Sequence, residues 1–426
     1  MKAIVDCNSF YCSCERLFRP DLDTKPVIVL SNNDGCIVSR SDEAKSFGVE
    51  MAGPYFQAKP LIEKHDIATF SSNYHLYGDL SWRVMETLRM IMGKKNVEVY
   101  SVDEAFVDMS MVPKEGLRAA AMEIKETVEM WTGIKVSIGV APTKVLAKVA
   151  NVLAKKHKLA TNCVLVLDTP ERVRQALQKT PVGDIWGVGR QYAKKLESYN
   201  IATALDLSLM NEVWVKQNLG GVVGLKLIKE LKGKPAILMG EELVNKQMIA
   251  TTRMFGKPVT GLSDVKEAIA TYTSRAAEKL RRQHSAAKTI SVFIVPKEQS
   301  HNTYFRHGPT ISSSINLPLA TCVTQELIKP ALQLTERLFE QGCTYKKAGV
   351  MLSGIIPDDS IQGNLFMPAS KTKNRLLMNM LDNVNFAMRD DVLKFASSGT
   401  SRNWKMRQEL RSKRYTTRWE ELFEVK

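Results

Sequence analysis

Asp103 and Glu104 are adjacent carboxylates in the stretch Tyr100-Ser101-Val102-Asp103-Glu104-Ala105-Phe106, with apolar residues on both sides. Two neighbouring acids repel each other and resist burial, and a divalent cation removes both penalties. Alone, the pair reads as a hairpin turn whose acids face water. A third acid, Asp6, changes that reading, because it ends the apolar run Ala3-Ile4-Val5. An acid at a strand end and an acid pair on a hairpin together build a two-metal site for phosphoryl or nucleotidyl transfer.

The surrounding pattern supplies elements to hold these acids. Val97-Glu98-Val99-Tyr100 and Phe106-Val107-Asp108-Met109 read as the two strands of the hairpin. A helix is expected over residues 9–18, a strand at Val27-Ile28-Val29-Leu30, and a turn at Asn32-Asn33-Asp34-Gly35 leading into Cys36-Ile37-Val38. Further helices are expected at 41–47, 81–92 and 117–131, the last with Leu117, Ala121, Ile124, Val128 and Trp131 on one face. A strand at 134–140 precedes a helix capped by Thr143, with Val145, Leu146, Val149, Val152 and Leu153 on its apolar side. The alternation predicts an α+β sheet with helices on one face, a palm-like architecture with Asp6 and the hairpin acids on adjacent strands.

From about residue 168 the texture turns helical. Asp184-Ile185-Trp186-Gly187-Val188-Gly189 leads into a helix over 191–198, flanked by Arg190, Lys194 and Lys195. Such a turn is either a plain helix–helix connection or a seat for a phosphate at a helix N-terminus. Residues 233–240 read as a linker. An edge strand at 251–255, a helix at 264–283, a strand at 290–295, a helix at 322–340 and a strand at 347–352 form a second small α+β unit. Beyond Gly354 the pattern weakens into a polar tail. Residues 402–418 there hold seven basic residues and one acid, Glu409. That run is a solvated face or a docking segment for DNA or an acidic partner.

Composition sets the class. The 426 residues are 44% hydrophobic and 25% charged, as in a globular protein of two to four domains. Sixty Lys and Arg against 45 Asp and Glu give a net charge of +15, which favours a polyanionic partner, nucleic acid ahead of a membrane surface. No apolar run approaches the length of a membrane span and the first residues lack a signal-peptide pattern, so a cytoplasmic location is expected. Cys7, Cys12 and Cys14 cluster without a CxxC spacing or a nearby His, which makes them core or half-buried thiols rather than zinc ligands.

In chain order, Asp6-Cys7-Asn8-Ser9-Phe10-Tyr11, Ser101-Val102-Asp103-Glu104-Ala105 and Gly187-Val188-Gly189 resemble the Y-family translesion DNA polymerases. Ser31-Asn32-Asn33-Asp34-Gly35-Cys36, Phe70-Ser71-Ser72-Asn73-Tyr74 and Arg414-Tyr415-Thr416-Thr417-Arg418 resemble the UmuC subgroup, the catalytic subunits of bacterial DNA polymerase V. The resemblance covers nearly the whole chain. It implies a multidomain right-hand polymerase of α+β class: a ferredoxin-like palm with fingers over 1–167, a helical thumb with a helix-hairpin-helix over 168–240, an α+β little finger over 241–354, and a C-terminal extension over 355–426.

The implied function is error-prone, template-directed DNA synthesis across damage, in SOS mutagenesis. Asp6, Asp103 and Glu104 would hold two Mg²⁺ ions, joined by the Cys7 carbonyl. Tyr11 is implied as the ring excluding a 2′-hydroxyl, against the plainer reading of a core Tyr on the first helix. Val38 is implied beside the nascent base pair, and Lys45 and Lys155 on the triphosphate. Lys45 stands where many relatives have Arg, and Asp42 where many have a phosphate-binding Tyr. Gly187, Gly189 and Arg190 would contact DNA. Gln362, Leu365 and Phe366, in Gln362-Gly363-Asn364-Leu365-Phe366, resemble a sliding-clamp motif with Gly363 in place of the usual Leu. Implied partners are primer–template DNA, dNTP, a UmuD′-like dimer, RecA and the clamp, with no membrane, in a nucleoid-associated setting. Two other functions fit parts of the pattern. A nucleotidyl cyclase would need no duplex-binding thumb, and a non-enzymatic DNA-binding subunit would have no use for three acids.

Overall fold

The computed structural model describes residues 1–240, 245–297, 310–363, 372–388, 391–400 and 402–424. The opening apolar run forms β1 (Lys2–Cys7), of which all but Lys2 are buried. A strand apolar on both faces belongs in the middle of a covered sheet. The chain continues through α1 (Phe10–Leu17), β2 (Val27–Leu30), β3 (Ile37–Arg40), α2 (Asp42–Ser46), α3 (Tyr55–Lys64), β4 (Ala68–Ser71) and α4 (Tyr74–Met92). It returns as the hairpin β5 (Val97–Val99) and β6 (Glu104–Asp108), then α5 (Leu117–Thr132), β7 (Val136–Ala141), α6 (Lys144–Lys156), α7 (Lys158–Thr161) and β8 (Val164–Val166). The main sheet has the order β5-β6-β1-β7-β8, and β3-β2-β4 form a separate small sheet. β1 is thus central, and its antiparallel register sets Asp6 directly opposite Glu104.

The expectation of helices on one face is corrected. Ala3 and Val5 pack with Leu80 and Val84 of α4 and Leu117 and Ile124 of α5. Ile4 and Phe106 point the other way, onto Val145, Leu146 and Val149 of α6. Successive strand residues face opposite sides, so an unbroken Ala3-Ile4-Val5 run requires a cover on both. α6 lies close to the sheet because β7 offers Gly139, where a Cβ would come within 2.2 Å of the Ala147 carbonyl oxygen. α4 also begins earlier than its apolar spacing suggested, since Asn73 caps it by accepting from the Leu76 amide at 3.4 Å.

α8 (Pro170–Lys179), α9 (Arg190–Ser198), α10 (Ala204–Leu209), α11 (Glu212–Asn218) and α12 (Val222–Leu231) share a core with α6 through Leu177, Leu196, Leu207 and Leu227. The remaining sheet has the order β11-β10-β12-β9, from β9 (Ile249–Val259), β10 (Ser285–Pro296), β11 (Ile311–Thr321) and β12 (Tyr345–Pro357). It packs on α13 (Leu262–Arg282) and α14 (Thr324–Leu338). β9 is an edge strand, as its sequence suggests; β11 takes the other edge and was not expected.

The tail is more ordered than its polarity implies. α15 (Thr372–Ala387) is followed by a segment that packs Trp404 edge-on to Tyr272 at 5.7 Å and then runs along β4, where Arg411 bridges Ser71. The basic run 402–418 is therefore in large part an intramolecular docking segment. Its Ser412 hydroxyl donates to Glu15 Oε1 at 3.0 Å, and the Tyr77 hydroxyl donates to the same oxygen at 2.5 Å. Burial pushes the Glu15 carboxyl up to about 7, the two hydrogen bonds offsetting it only in part. The fold therefore holds a proton that the unfolded chain releases at ordinary carboxylate pH. Stability should fall as pH rises from about 4.5 to about 7, by roughly 3 kcal/mol from this group. Glu15→Gln should flatten that slope in thermal melts across the window; an unaltered slope would contradict the assignment.

Candidate active site

Three elements converge at the C-terminal end of β1. Asp6 is 8% exposed and Glu104 faces it across the β1/β6 ladder. Asp103 closes the turn before β6, where its carbonyl accepts from the Cys7 amide at 2.9 Å. The tight Tyr100–Glu104 turn is held by the Tyr100 and Ser101 amides, both donating to the Glu104 carbonyl at 3.0 Å. Immediately after Cys7, Ser9 adopts φ 45° to start α1, a left-handed conformation uncommon outside glycine. α1 carries Tyr11 back toward the acids.

The carboxylates are balanced by α6. Lys155 Nζ lies 2.6 Å from Asp6 Oδ1, and Lys148 Nζ 2.5 Å from Glu104 Oε1. One turn before Lys148, Lys144 pairs with Glu98 of the hairpin and donates to the Leu238 carbonyl at 2.8 Å. Asp6 and Glu104 also share a hydrogen bond. Burial pushes Asp6 well above the carboxylate range despite Lys155. In Glu104 burial acts the same way, but the bonds from Asp6 and Lys148 outweigh it and hold that carboxyl low. One proton shared by two close acids is the expected result of crowding them.

The Asp103 carboxylate turns instead to Ser101, whose hydroxyl donates to Oδ1 at 2.7 Å. Among the described residues no three His, Cys, Asp or Glu side chains close on a single point. The donors are nonetheless a hard oxygen set. The Cys7 thiol is fully buried and pushed far up, first by burial and then by the charge of Asp6, Asp103 and Glu104, so it stays neutral and offers no thiolate. Carboxylate oxygens without a soft ligand suit Mg²⁺.

Around this centre the remaining sequence-derived residues fall in distinct places. Tyr11 is half-buried and stacks on Tyr77 at 4.5 Å, with burial lifting its hydroxyl to about 12. Val38 is half-buried in β3 and packs on the same core. Lys45 is exposed and lies 2.8 Å from Asp42 Oδ1, while Lys158 pairs with the other Asp42 oxygen. Burial opposes ionisation of Asp42, but the two lysines hold it at about 2. Asp42, Lys155 and Lys158 line a cleft of about 490 Å³. Gly187 has φ 99°, which favours glycine; Gly189 and the exposed Arg190 start α9. Trp186 ties this turn to the acid hairpin by donating to the Tyr100 hydroxyl at 3.0 Å. Gln362 is exposed after β12, whereas Leu365 and Phe366 lie outside the described residues.

Sequence reasoning missed Lys144 and Lys148. The signal was there: with Lys155 they stand at spacings of four and seven on one helix, opposite Glu98, Glu104 and Asp6.

Comparison with known proteins decides the family. The impB/mucB/samB family matches residues 5–152, its C-terminal domain 246–365, and the IMS family HHH motif 170–201; a domain of unknown function, DUF4113, matches 375–425. Protein UmuC of Salmonella typhimurium is 40% identical over 428 aligned positions that span 100% of both chains. The chain belongs to the UmuC-type Y-family polymerases. Protein SamB of Salmonella typhimurium is 36% identical over 99% of each chain. DNA polymerase IV of Corynebacterium diphtheriae is 30% identical over 85% of this chain and 76% of its own. A solved Y-family DNA polymerase chimera built on Dbh superposes with TM-score 0.67 at 22% identity, covering 84% of this chain and 99% of its own. The UmuC-type fold of this chain is accordingly a multidomain α+β polymerase fold, and the rivals, a cyclase and a non-enzymatic subunit, lose their footing. Among the described residues no helix is long and apolar enough to cross a membrane.

Proposed function

We propose that this UmuC-type translesion DNA polymerase, an error-prone enzyme of SOS mutagenesis, joins dNTP to a primer end at Asp6, Asp103 and Glu104 with two Mg²⁺ ions. The observation that carries the reading is the register that sets Asp6 against Glu104 beside the Asp103 turn, with only oxygen donors offered. Bound there with the Cys7 carbonyl, two Mg²⁺ would stabilise the attacking 3′-oxygen and the leaving pyrophosphate. Lys155 and Lys148 are held on α6 where their ammonium groups exchange carboxylate partners for triphosphate oxygens. Lys45, freed from Asp42, serves the same phosphates as a point charge rather than a bidentate fork. The Tyr11 ring, backed by Tyr77, leaves no room for a 2′-hydroxyl, and Val38 offers a small apolar roof to the nascent pair.

The domain reading follows the cores. Palm and fingers over 1–167, thumb over 168–240 and little finger over 241–354 are each supported by an apolar cluster, although Ile4, Phe106 and α6 share the thumb's, and Trp404 of the extension over 355–426 joins the little finger's. Gly187, Gly189 and Arg190 would meet DNA phosphates at the start of α9. Partners beyond DNA and dNTP are a UmuD′-like dimer, RecA and the sliding clamp, the last through Gln362, Leu365 and Phe366. Exposed Leu376, Leu377, Met380 and Val384 on α15 support a protein-binding role for the extension. The setting would be cytoplasmic and nucleoid-associated.

Primer extension on a damaged template tests the function. Incorporation should require template, dNTP and Mg²⁺, stop on chelation and resume when Mg²⁺ is restored. DNA affinity should drop on the order of 10³-fold between about 50 and 200 mM salt. Extension unaffected by chelation, or salt-independent binding, would refute it.

A further inference from the structure

The C-terminal segment makes a continuous path from the second sheet to the first helix turn behind Tyr11. It starts at β9, where the Gly256 amide donates to the Trp404 carbonyl at 3.2 Å. The approach there is close: a Cβ at Gly256 would sit 2.2 Å from the Lys405 carbonyl oxygen. Next the Arg407 amide donates to Asn33 Oδ1 at 2.8 Å and the Glu409 amide to Asp34 Oδ2 at 3.1 Å. Leu410 then pairs with Ser71, its amide donating to the hydroxyl at 2.9 Å and its carbonyl accepting from the Ser71 amide at 3.0 Å.

The path ends at Asn73. This residue caps α4 with its carbonyl oxygen and uses its amide nitrogen on the tail, donating to the Ser412 carbonyl at 3.1 Å, the Ser412 hydroxyl at 3.0 Å and the Lys413 carbonyl at 3.2 Å. Ser412 in turn donates to Glu15, the acceptor that fixes the Tyr77 hydroxyl. Tyr77 stacks on Tyr11 at 17° between planes, and Tyr74, the first residue of α4, meets the same ring edge-on at 6.0 Å. Both aromatic neighbours of Tyr11 on α4 are thus on the first turn, the one the tail holds.

We propose that Asn73, Glu15 and Ser412 are positioning residues for the Tyr11 ring, so that the C-terminal segment sets how strictly this polymerase rejects ribonucleotides. The proposal rests on the reading of Tyr11 as the sugar-excluding ring. A steric filter is only as strict as the backing of its wall is stiff, and a displacement of about 1 Å is enough to matter in an active site. Without the Ser412 hydroxyl, Glu15 keeps Tyr77 as its one hydroxyl donor of the two, and the Asn73 amide loses an acceptor. The first turn of α4 is then free to recede and carry Tyr77 from behind Tyr11. Deoxynucleotides, which do not press on the ring, are affected less than ribonucleotides, so the effect is on selectivity rather than on overall rate.

The test is single-nucleotide incorporation by the full chain, dNTP against the matching rNTP on an undamaged template. Ser412→Ala and Asn73→Ala should each lower the ratio of dNTP to rNTP kcat/KM about fivefold, the effect of one lost hydrogen bond. Ser412→Thr, which keeps the hydroxyl, should restore it. Gly256→Ala loosens the far end of the strap without touching α4, and should shift the ratio the same way even if Asn73→Ala folds poorly. Equal losses with both nucleotides, or unchanged ratios while Tyr11→Ala lowers its own, would overturn the proposal and leave the Tyr11 reading standing. An unchanged ratio in Tyr11→Ala would remove that reading, and the proposal with it.

Discussion

Asp103→Ala should reduce primer extension by at least about 10³-fold while leaving DNA affinity close to wild type. Among the described residues, Asp103 is the one acid of the three whose carboxylate pairs with no lysine; it accepts instead from the Ser101 hydroxyl. Its removal therefore leaves no unpaired ammonium behind, and the β5–β6 turn keeps its backbone bonds from Tyr100 and Ser101 to the Glu104 carbonyl. The loss should appear in kcat at saturating dNTP, with an unchanged melting temperature. Asp6→Ala is a less clean experiment, because it strips Lys155 of its partner and Glu104 of a hydrogen bond. Near-normal extension by Asp103→Ala would show that the turn does no chemistry.

Tyr11→Ala should raise ribonucleotide incorporation on the order of 10²-fold relative to deoxynucleotide. The ring is half-buried, with one face on Tyr77, Tyr74 edge-on at 6.0 Å and Phe10 tilted against it at 5.7 Å, and with no hydrogen bond to its hydroxyl among the described residues, so packing fixes its position. Tyr11→Phe should therefore preserve discrimination, since the wall is the ring and not the hydroxyl. An unchanged dNTP-to-rNTP ratio in Tyr11→Ala would return Tyr11 to the role of a packing residue.

The N-terminal part was legible because its signals are local. An apolar run ending in Asp6, an acid pair between short strands, and a Thr143-capped amphipathic helix each fit within a window of a dozen residues, and they became β1, the β5–β6 hairpin and α6. What stayed hidden depends on contacts between residues far apart. β11 is an edge strand rich in Ser with a Pro at 318, a composition that resembles a loop until pairing with β10 supplies its partner. The tail carries no hydrophobic period along 405–413. Asn33, Asp34, Ser71, Asn73 and Glu15 hold it, across separations of 339 to 397 residues where the bonds reach Ser71, Asn73 and Glu15. Polar residues anchoring a polar strand leave no trace in a pattern of apolar spacing. The lysine stripe of α6 was overlooked for a related reason: a charged helix face is ordinarily solvated, and only the acids across from it give it meaning.

The claim on which the account turns is that Asp6, Asp103 and Glu104 gather two divalent ions. Crystals of the protein with primer–template DNA and an incoming nucleotide, grown in Mn²⁺ and measured for anomalous scattering, test it directly. The account predicts two peaks, both contacted by Asp6 and Asp103 and one also by Glu104, with Asp103 turned away from Ser101 and the lysines moved onto the triphosphate. Density for ordered DNA and nucleotide with no peak between Asp6 and the Asp103–Glu104 turn would contradict it.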